Sequence, residues 1–421
     1  MELFYYNIIF IIITTFCFYK SFTSITNYTS CTISDYVISI IYAFNCFPIL
    51  LDVLIGVPKY FSWFSNFQIA ADHKETGIIY NMYIILVMLV LFRYKVKKDH
   101  FLDSYNSKLI VEFGHNSKKN SKLITFIFIV FPFVYVFLEH GFDVFNSYSS
   151  LAARGIEDGT FINFLIMISS YLSVTSYYIQ RKRSWWTFLL LIFYMFAIVF
   201  LNGKRYIIVT LLLMMLFYFE QFSHIIKRKI NLKIVYGLLL TFILSFSVFY
   251  FAVVRPEHAA NDNMYAMLRI DFGREDVTKF VIHREFIQEE PILDYAGQTY
   301  LSTIFAWIPR SIWTDKPYPH YRYLTGALTN QDVLDIRAGM TPSIFEMSIA
   351  NFGWGGIIVT MLLLLWLCKL ADNSRNLKIK LLYILIIVNL LTQAIDASLA
   401  FILLIVLYSL KPLFKIGKNS F

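Results

Sequence analysis

Long apolar runs constrain this chain more than any other feature of its sequence. Two of them, Leu3–Tyr19 and Ile234–Val254, approach or exceed the roughly 18 apolar residues that a helix needs to cross a bilayer. The whole chain is 58% hydrophobic and only 15% charged, which lies outside the range of soluble globular proteins. The sequence therefore predicts an all-α, polytopic transmembrane helical bundle.

Eleven apolar segments are candidate spans, and one large polar segment separates the eighth from the ninth. We predict three parts: an N-terminal bundle of about eight spans over 1–254, a large loop with short helices over 255–343, and about three spans over 344–421. The candidate spans are residues 3–19, 34–56, 77–92, 123–138, 161–179, 185–201, 206–220, 234–254, 344–368, 381–395 and 397–410.

The net charge of +9 follows from lysines and arginines in short loops, as the positive-inside rule predicts. This pattern indicates a membrane protein and not a nucleic-acid partner. It places segment 93–122 in the cytoplasm and the 255–343 loop outside. Arg205, in the Asn202–Tyr206 connection, falls on the outer side against this rule. The connection is either a tight glycine turn with snorkelling side chains or an outward cationic hook for phosphate.

The outer loop concentrates charge among aromatic and proline residues. Within eleven residues it holds Arg310, Asp315, Lys316 and His320. Arg310 follows an apolar stretch, where a guanidinium is costly unless it is paired. With Arg205, Arg274, Arg255 and Lys316, it could bind a pyrophosphate without a metal. Asp315 is alternatively a local ion-pair partner of Lys316.

Two side chains are candidate proton acceptors. His320 has the near-neutral pKa of a general base, although a surface histidine is equally compatible with the pattern. Glu346 lies where the ninth span begins. It completes a capping box with Ser343, or it activates a sugar hydroxyl, and Thr341 is an alternative N-cap.

Two further features of the sequence concern packing. Segment 274–290 predicts an amphipathic helix with its apolar residues broadly on one side. Gly353, Gly355 and Gly356 would let another helix approach closely. No P-loop, zinc-ligand spacing or GxSxG motif occurs in the sequence, so we expect neither ATP-driven transport nor a metal or other cofactor.

The segments IPRSIWTDKP and TPSIFEMSIANFGWGG, together with NGKR and LDVLIGVPKYF, resemble the Wzy-type O-antigen or oligosaccharide-repeat-unit polymerases. The resemblance implies a lipid-dependent glycosyltransferase of the C-type class in the bacterial cytoplasmic (inner) membrane, with its large loop in the periplasm. Such an enzyme transfers a growing glycan from undecaprenyl pyrophosphate to a new lipid-linked repeat unit. The implied partners are these lipid-linked glycans and membrane lipid, with a chain-length regulator as a further candidate.

The same resemblance suggests roles for individual residues. Arg310, helped by the other cations, would stabilise the leaving pyrophosphate, and Glu346 or His320 would accept the proton of the acceptor hydroxyl. Aromatic rings of the loop would stack on sugar faces, and these are Tyr300, Trp307, Trp313, Tyr318 and Tyr321. The alternatives are an O-antigen ligase, which uses the same donor with a lipid A-core acceptor, and a polysaccharide flippase or other transporter.

Overall fold

A computed structural model describes most of the chain. The described residues are 2–26, 31–60, 65–94, 119–142, 159–179, 184–203, 206–226, 234, 237, 241, 265–266, 269, 273–308, 310–336, 339–374 and 376–416. Throughout these residues the regular structure is helical, with no strand. This agrees with the predicted all-α class. Almost all of predicted span 234–254 lies outside the described residues. Arg205 and Arg255 lie outside them as well.

Five of the described helices are long and apolar enough to cross a membrane, namely Leu3–Thr26, Ile33–Leu54, Lys74–Arg93, Trp185–Asn202 and Gly355–Asn373. Each overlaps a predicted span. Shorter apolar helices cover Thr125–His140, Tyr206–Glu220 and Ile395–Ser409. The chain therefore has the helices of a membrane protein, while the total of about eleven spans stays a prediction.

The chain divides into two compact units. The first contains residues 1–96, 230–372 and 387–396, and the second contains 97–229, 373–386 and 397–421. This division follows internal contacts, whereas the predicted division into bundle, loop and C-terminal helices follows topology. Segment 255–343 belongs to the first unit together with the first three apolar helices.

The first unit begins with α1 (Glu2–Thr26) and a bent second helix. The second helix consists of α2 (Ile33–Ile41), a π-helical turn at Tyr42–Cys46 and α3 (Phe47–Leu54). Two more helices follow, α4 (Ser65–Asp72) and α5 (Lys74–Arg93), and α1 packs against both α2 and α5.

The second unit is built around α7 (Gly159–Ile179). This helix packs against α6 (Lys119–His140), α8 (Trp185–Asn202), α9 (Tyr206–Ile226) and α16 (Leu399–Ile416). Helix α8 ends at Gly203, whose φ of 68° places it in the left-handed region that favours glycine. Lys204 and Arg205, on which the alternatives of a tight turn and a cationic hook depend, lie outside the described residues.

The remaining helices of the chain follow in order. They are α10 (Glu275–Ile282) with a π-helical turn at His283–Ile287, α11 (Gln298–Ile304), α12 (His320–Thr329), α13 (Ile344–Phe352), α14 (Gly355–Asn373) and α15 (Leu377–Thr392), and a 3₁₀ turn at Ile395–Ser398 precedes α16.

Two helices differ from the sequence-based expectation. Helix α10 is buried along its whole length, including Glu275, Asp276 and Lys279, because it packs against α4, α5 and α13. The predicted helix over 274–290 is therefore a core element of the first unit, α-helical over Glu275–Ile282 and π-helical over His283–Ile287.

The predicted ninth span, 344–368, is two helices. The chain breaks at Gly353, whose φ is 54°. A Cβ on Gly356 would clash with the carbonyl of Ser348. These glycines thus let α14 start tightly against the end of α13, instead of admitting a separate helix.

Candidate functional site

The turn between α11 and α12 holds two of the predicted phosphate-binding residues. Lys316 Nζ donates hydrogen bonds to the carbonyl oxygens of Ala306 and Ile308, each at 3.0 Å. Arg310 Nη2 donates to the carbonyl of Pro317 at 3.1 Å. The hydrogen bonds of both cations thereby connect the beginning of the turn with its end. Each retains further N–H groups that these bonds do not use.

Tyr318 brings a second arginine to the same place. The guanidinium carbon of Arg310 lies 3.7 Å from the centroid of the Tyr318 ring, and that of Arg322 lies 4.8 Å from it. Helix α12 begins at His320 after Pro319, so Arg322 stands on its first turn. We refer to Arg310, Lys316 and Arg322 as the cation cluster. The sequence analysis missed Arg322, although its position four residues after Tyr318 on a helix start is a usable signal.

The cation cluster brings three positively charged side chains together. In the part of the chain that the structure describes, no ion pair involves any of its three members. Burial, followed by the nearby charge of Arg310, lowers the pKa of Lys316, while Asp396 acts in the opposite sense. Asp315 is not the ion-pair partner of Lys316 that the sequence allowed. The arrangement can accept an anion.

The predicted sugar-stacking residues separate into two groups. Tyr318 and Tyr321 belong to the cation cluster, since Arg322 Nε donates to the hydroxyl of Tyr321 at 3.5 Å. Trp313 packs edge-on against Phe305 with ring centroids 6.0 Å apart.

The other two aromatic residues are Trp307 and Tyr300. Trp307 is 77% exposed. The hydroxyl of Tyr300 forms a hydrogen bond with Ser348 Oγ at 2.9 Å, and its ring lies against Phe352. Burial raises the pKa of Tyr300 to about 12. Tyr300 therefore ties α11 to α13 through both its ring and its hydroxyl.

His320 is a buried side chain at the start of α12, with an exposure of 1%. Its Nδ1 shares a hydrogen bond with Thr299 Oγ1 at 3.2 Å, and Asn351 Nδ2 donates to the same hydroxyl at 2.7 Å. Burial lowers the pKa of His320 to about 3, so the imidazole is neutral at physiological pH. The alternative of a surface histidine does not apply.

Glu346 caps the helix on which it stands. Ser343 is the N-cap of α13, and the reciprocal capping box predicted from the sequence is confirmed. The carboxylate accepts hydrogen bonds from the backbone N–H and hydroxyl of Ser343, and from Thr278 Oγ1 at 3.0 Å. Burial raises the pKa of Glu346 above its usual range, although these bonds oppose the shift. Its exposure is 0%.

Arg274 stands at the N-terminus of α10, and its contacts are with backbone carbonyls. Its Nη2 donates to Thr392 at 3.2 Å, and its backbone N–H donates to Phe44 at 2.9 Å. The side chain is 8% exposed. The structure thus places Arg274 in the core of the first unit.

A buried ionic cluster, formed by Asp52, Arg269, Glu275 and Lys279, lies in the same core. Arg269 pairs with both Asp52 and Glu275, and it donates to the carbonyl of Pro48 at 3.1 Å. Lys279 Nζ lies 3.9 Å from Asp52 Oδ2. Asp52 therefore joins a buried salt-bridge network.

Adjacent to this ionic cluster, Asp276 accepts a hydrogen bond from the Tyr60 hydroxyl. Burial raises the pKa of both Glu275 and Asp276, and the charge of Arg269 opposes this shift. The network joins the end of α3 to the start of α10 across a long sequence separation. It orders the first unit around segment 265–282.

A shallow cavity of about 310 Å³ opens beside α12. Its lining is largely polar and includes Arg284, Tyr323, Asn330 and Gln331. Tyr323 is the neighbour of Arg322, and its hydroxyl accepts a hydrogen bond from Gln298 Nε2 at 3.0 Å. Hydroxyl-rich ligands suit such a lining.

Among the described residues, no group of three or more His, Cys, Asp and Glu side chains could hold a metal ion. Comparison of the chain with protein-family models, with curated proteins and with solved structures gives no match.

Proposed function

We propose that this protein is a lipid-dependent glycosyltransferase that polymerises undecaprenyl-pyrophosphate-linked repeat units on the outer face of the bacterial cytoplasmic membrane. The product would be O-antigen or a related surface polysaccharide. The cation cluster is the observation that carries this proposal, because its three cations form no ion pair among the described residues and lie in a chain whose apolar helices suit a membrane. A lipid-linked pyrophosphate combines an anionic group with a membrane anchor.

The geometry of the cation cluster suits a pyrophosphate. Arg310 stacks on Tyr318 by its face, which leaves the edge of its guanidinium available for two parallel hydrogen bonds to phosphate oxygens. Arg322 supplies a second guanidinium and Lys316 a point charge. Hydrogen bonds to backbone carbonyls hold Arg310 and Lys316 in place before a substrate arrives. Such preorganisation is the main source of electrostatic catalysis.

The reaction is a single in-line displacement at the anomeric carbon of the donor. The acceptor hydroxyl oxygen forms the new glycosidic bond while the bond from the anomeric carbon to the pyrophosphate oxygen breaks. Undecaprenyl pyrophosphate leaves with the bonding electrons, and the cation cluster stabilises the charge that develops on it. The polar cavity beside α12, which Tyr323, Asn330 and Gln331 help to line, offers a place for the acceptor glycan.

The sequence predicts that Glu346 or His320 accepts the proton of the acceptor hydroxyl, and we keep these two residues as the proposed bases. Both side chains are buried, and the carboxylate of Glu346 already accepts three hydrogen bonds. We therefore propose that charge stabilisation by the cation cluster contributes more to the rate than either proposed base. Arg205 and Arg255 lie outside the described residues and stay sequence-based candidates for pyrophosphate binding, and Arg274 would act by ordering α10.

A reconstitution experiment separates the proposal from its alternatives. Purified protein in liposomes receives undecaprenyl-pyrophosphate-linked repeat units from its own pathway, and the products are resolved by mass. A ladder spaced by one repeat unit supports the polymerase. Transfer only after addition of lipid A-core would identify a ligase. Movement of the lipid-linked glycan between leaflets without any covalent product would identify a transporter.

A further inference from the structure

An apolar ridge extends from α11 into the turn that follows it. It consists of Leu301, Ile304, Trp307 and Ile312, whose exposures are 36%, 61%, 77% and 78%. The segment lies outside the five helices that could cross a membrane. Neighbouring exposed apolar side chains on a protein surface indicate an interaction site, since water is a poor solvent for them.

The ridge is attached to the beginning of an apolar helix. Asn351, near the end of α13, accepts the backbone N–H of Gly297 at its carbonyl, with a length of 3.1 Å. Its side-chain oxygen accepts the N–H of Thr299, also at 3.1 Å. Helix α14, one of the five possible spans, starts at Gly355. These bonds fix α11 close to the N-terminal end of α14.

Several backbone N–H and C=O groups of the ridge have hydrogen-bond partners within the protein, as an environment poor in water requires. The N–H groups of Phe305, Ala306 and Ile308 donate to carbonyls of the preceding turn at 3.0, 3.2 and 3.0 Å. The carbonyls of Ala306 and Ile308 accept from Lys316 Nζ. Backbone groups that enter a bilayer must find partners within the protein, because lipid chains offer none.

Charge and residue type also fit a lipid surface. Tryptophan is enriched at membrane–water interfaces, and the cation cluster lies in the same turn as the ridge. Lysine and arginine near a bilayer surface attract lipid phosphates. In a loop surrounded by water, the exposure of Ile304, Trp307 and Ile312 beside these cations would be unfavourable.

We propose that the apolar ridge inserts into the lipid headgroup region of the bilayer as an interfacial anchor. The occupant of this surface is lipid, and Lys316 satisfies the backbone carbonyls that the insertion removes from water. The turn between α11 and α12 then presents the cation cluster at the depth of lipid phosphates. This inference does not depend on glycosyl transfer, so it can hold or fail separately from the proposed enzyme activity.

Spin labelling in liposomes tests the depth of the ridge. In a Cys31→Ser background, with Cys17, Cys46 and Cys368 buried, single cysteines replace Ile304, Trp307 and Ile312 in turn. Collision rates are measured with oxygen, which concentrates in lipid, and with a water-soluble nickel chelate. Leu362→Cys, on an exposed position of α14, is the lipid control, and Asp335→Cys is the exposed polar control. Thermal unfolding of each labelled variant confirms that it is folded.

We expect the oxygen-to-nickel ratio at the three ridge positions to exceed that at Asp335→Cys and to stay below that at Leu362→Cys, as for a depth in the headgroup region. A ratio equal to that at Asp335→Cys would place the ridge in water and overturn the proposal. Low collision rates with both agents would mean that protein covers the ridge, such as a second copy of this chain, and would also overturn it.

Discussion

The guanidinium carbon of Arg310 lies 3.7 Å from the centroid of the Tyr318 ring. A guanidinium that stacks on an aromatic face keeps the N–H groups along its edge for other partners. The ring therefore orients Arg310 without consuming the donors that would bind a phosphate. Arg322 contacts the same ring, and Tyr318 thus serves as a support for two cations.

We expect Arg322→Ala to lower the rate of glycosyl transfer by about 10-fold to 100-fold, which corresponds to the roughly 1.5–3 kcal/mol of a hydrogen bond to a charged group. The measurement is the initial rate of product formation in liposomes. Arg93→Ala is the matched control, because Arg93 is exposed in the last turn of α5 and stands outside the cation cluster. Equal rates for wild type and Arg322→Ala would remove Arg322 from the phosphate site.

We expect Arg269→Met to destabilise the protein by about 3–5 kcal/mol, since it leaves the buried carboxylates of Asp52 and Glu275 without their cation. Thermal unfolding in detergent measures the effect. The double variant with Asp52→Asn should lose less stability than the two single variants added together. A midpoint for Arg269→Met equal to that of wild type would contradict the buried network.

We expect Glu346→Gln to retain most of the activity and Glu346→Ala to lower the unfolding temperature. The reason is that a capping interaction contributes about 0.5–2 kcal/mol, and glutamine preserves part of the capping box. Activity and thermal unfolding are measured for both variants. A folded Glu346→Gln protein without transferase activity would instead assign Glu346 as the proton acceptor.

We expect the protonation of His320 to make the stability of the protein depend on pH. Its pKa is about 3 in the folded protein and about 6.5 when the chain is unfolded. Between these values the unfolded state binds more protons, so stability decreases as pH falls from 6.5 towards 3. His320→Gln should weaken this decrease in thermal unfolding curves. Identical pH profiles for the two proteins would show that His320 does not titrate in this way.

Local signals made part of this structure predictable. The Ser343 and Glu346 pair specifies a capping box from its spacing alone, and the apolar runs specify helices. Arg310 and Lys316 lie close enough in the sequence for the turn that joins them to be anticipated.

Other features depend on contacts that no local pattern encodes. The ion pair of Arg269 with Asp52 joins residues 217 positions apart. The charged residues of α10 can be buried because Glu275 and Lys279 pair with members of this ionic cluster. His320 resembles a surface histidine by sequence, but Thr299 and Asn351 enclose it. The break at Gly353 follows from a backbone conformation that glycine permits and the hydropathy pattern does not reveal.

The central claim is that the cation cluster stabilises a pyrophosphate leaving group, and Arg310 is its principal member. The most direct measurement is the rate of ladder formation in liposomes for wild type, Arg310→Lys and Arg310→Ala. We expect Arg310→Ala to lose roughly 10²–10³-fold in rate, as for removal of a preorganised donor, and Arg310→Lys to recover only part of it because lysine cannot bind bidentately. Wild-type rates in a folded Arg310→Ala protein would contradict the account.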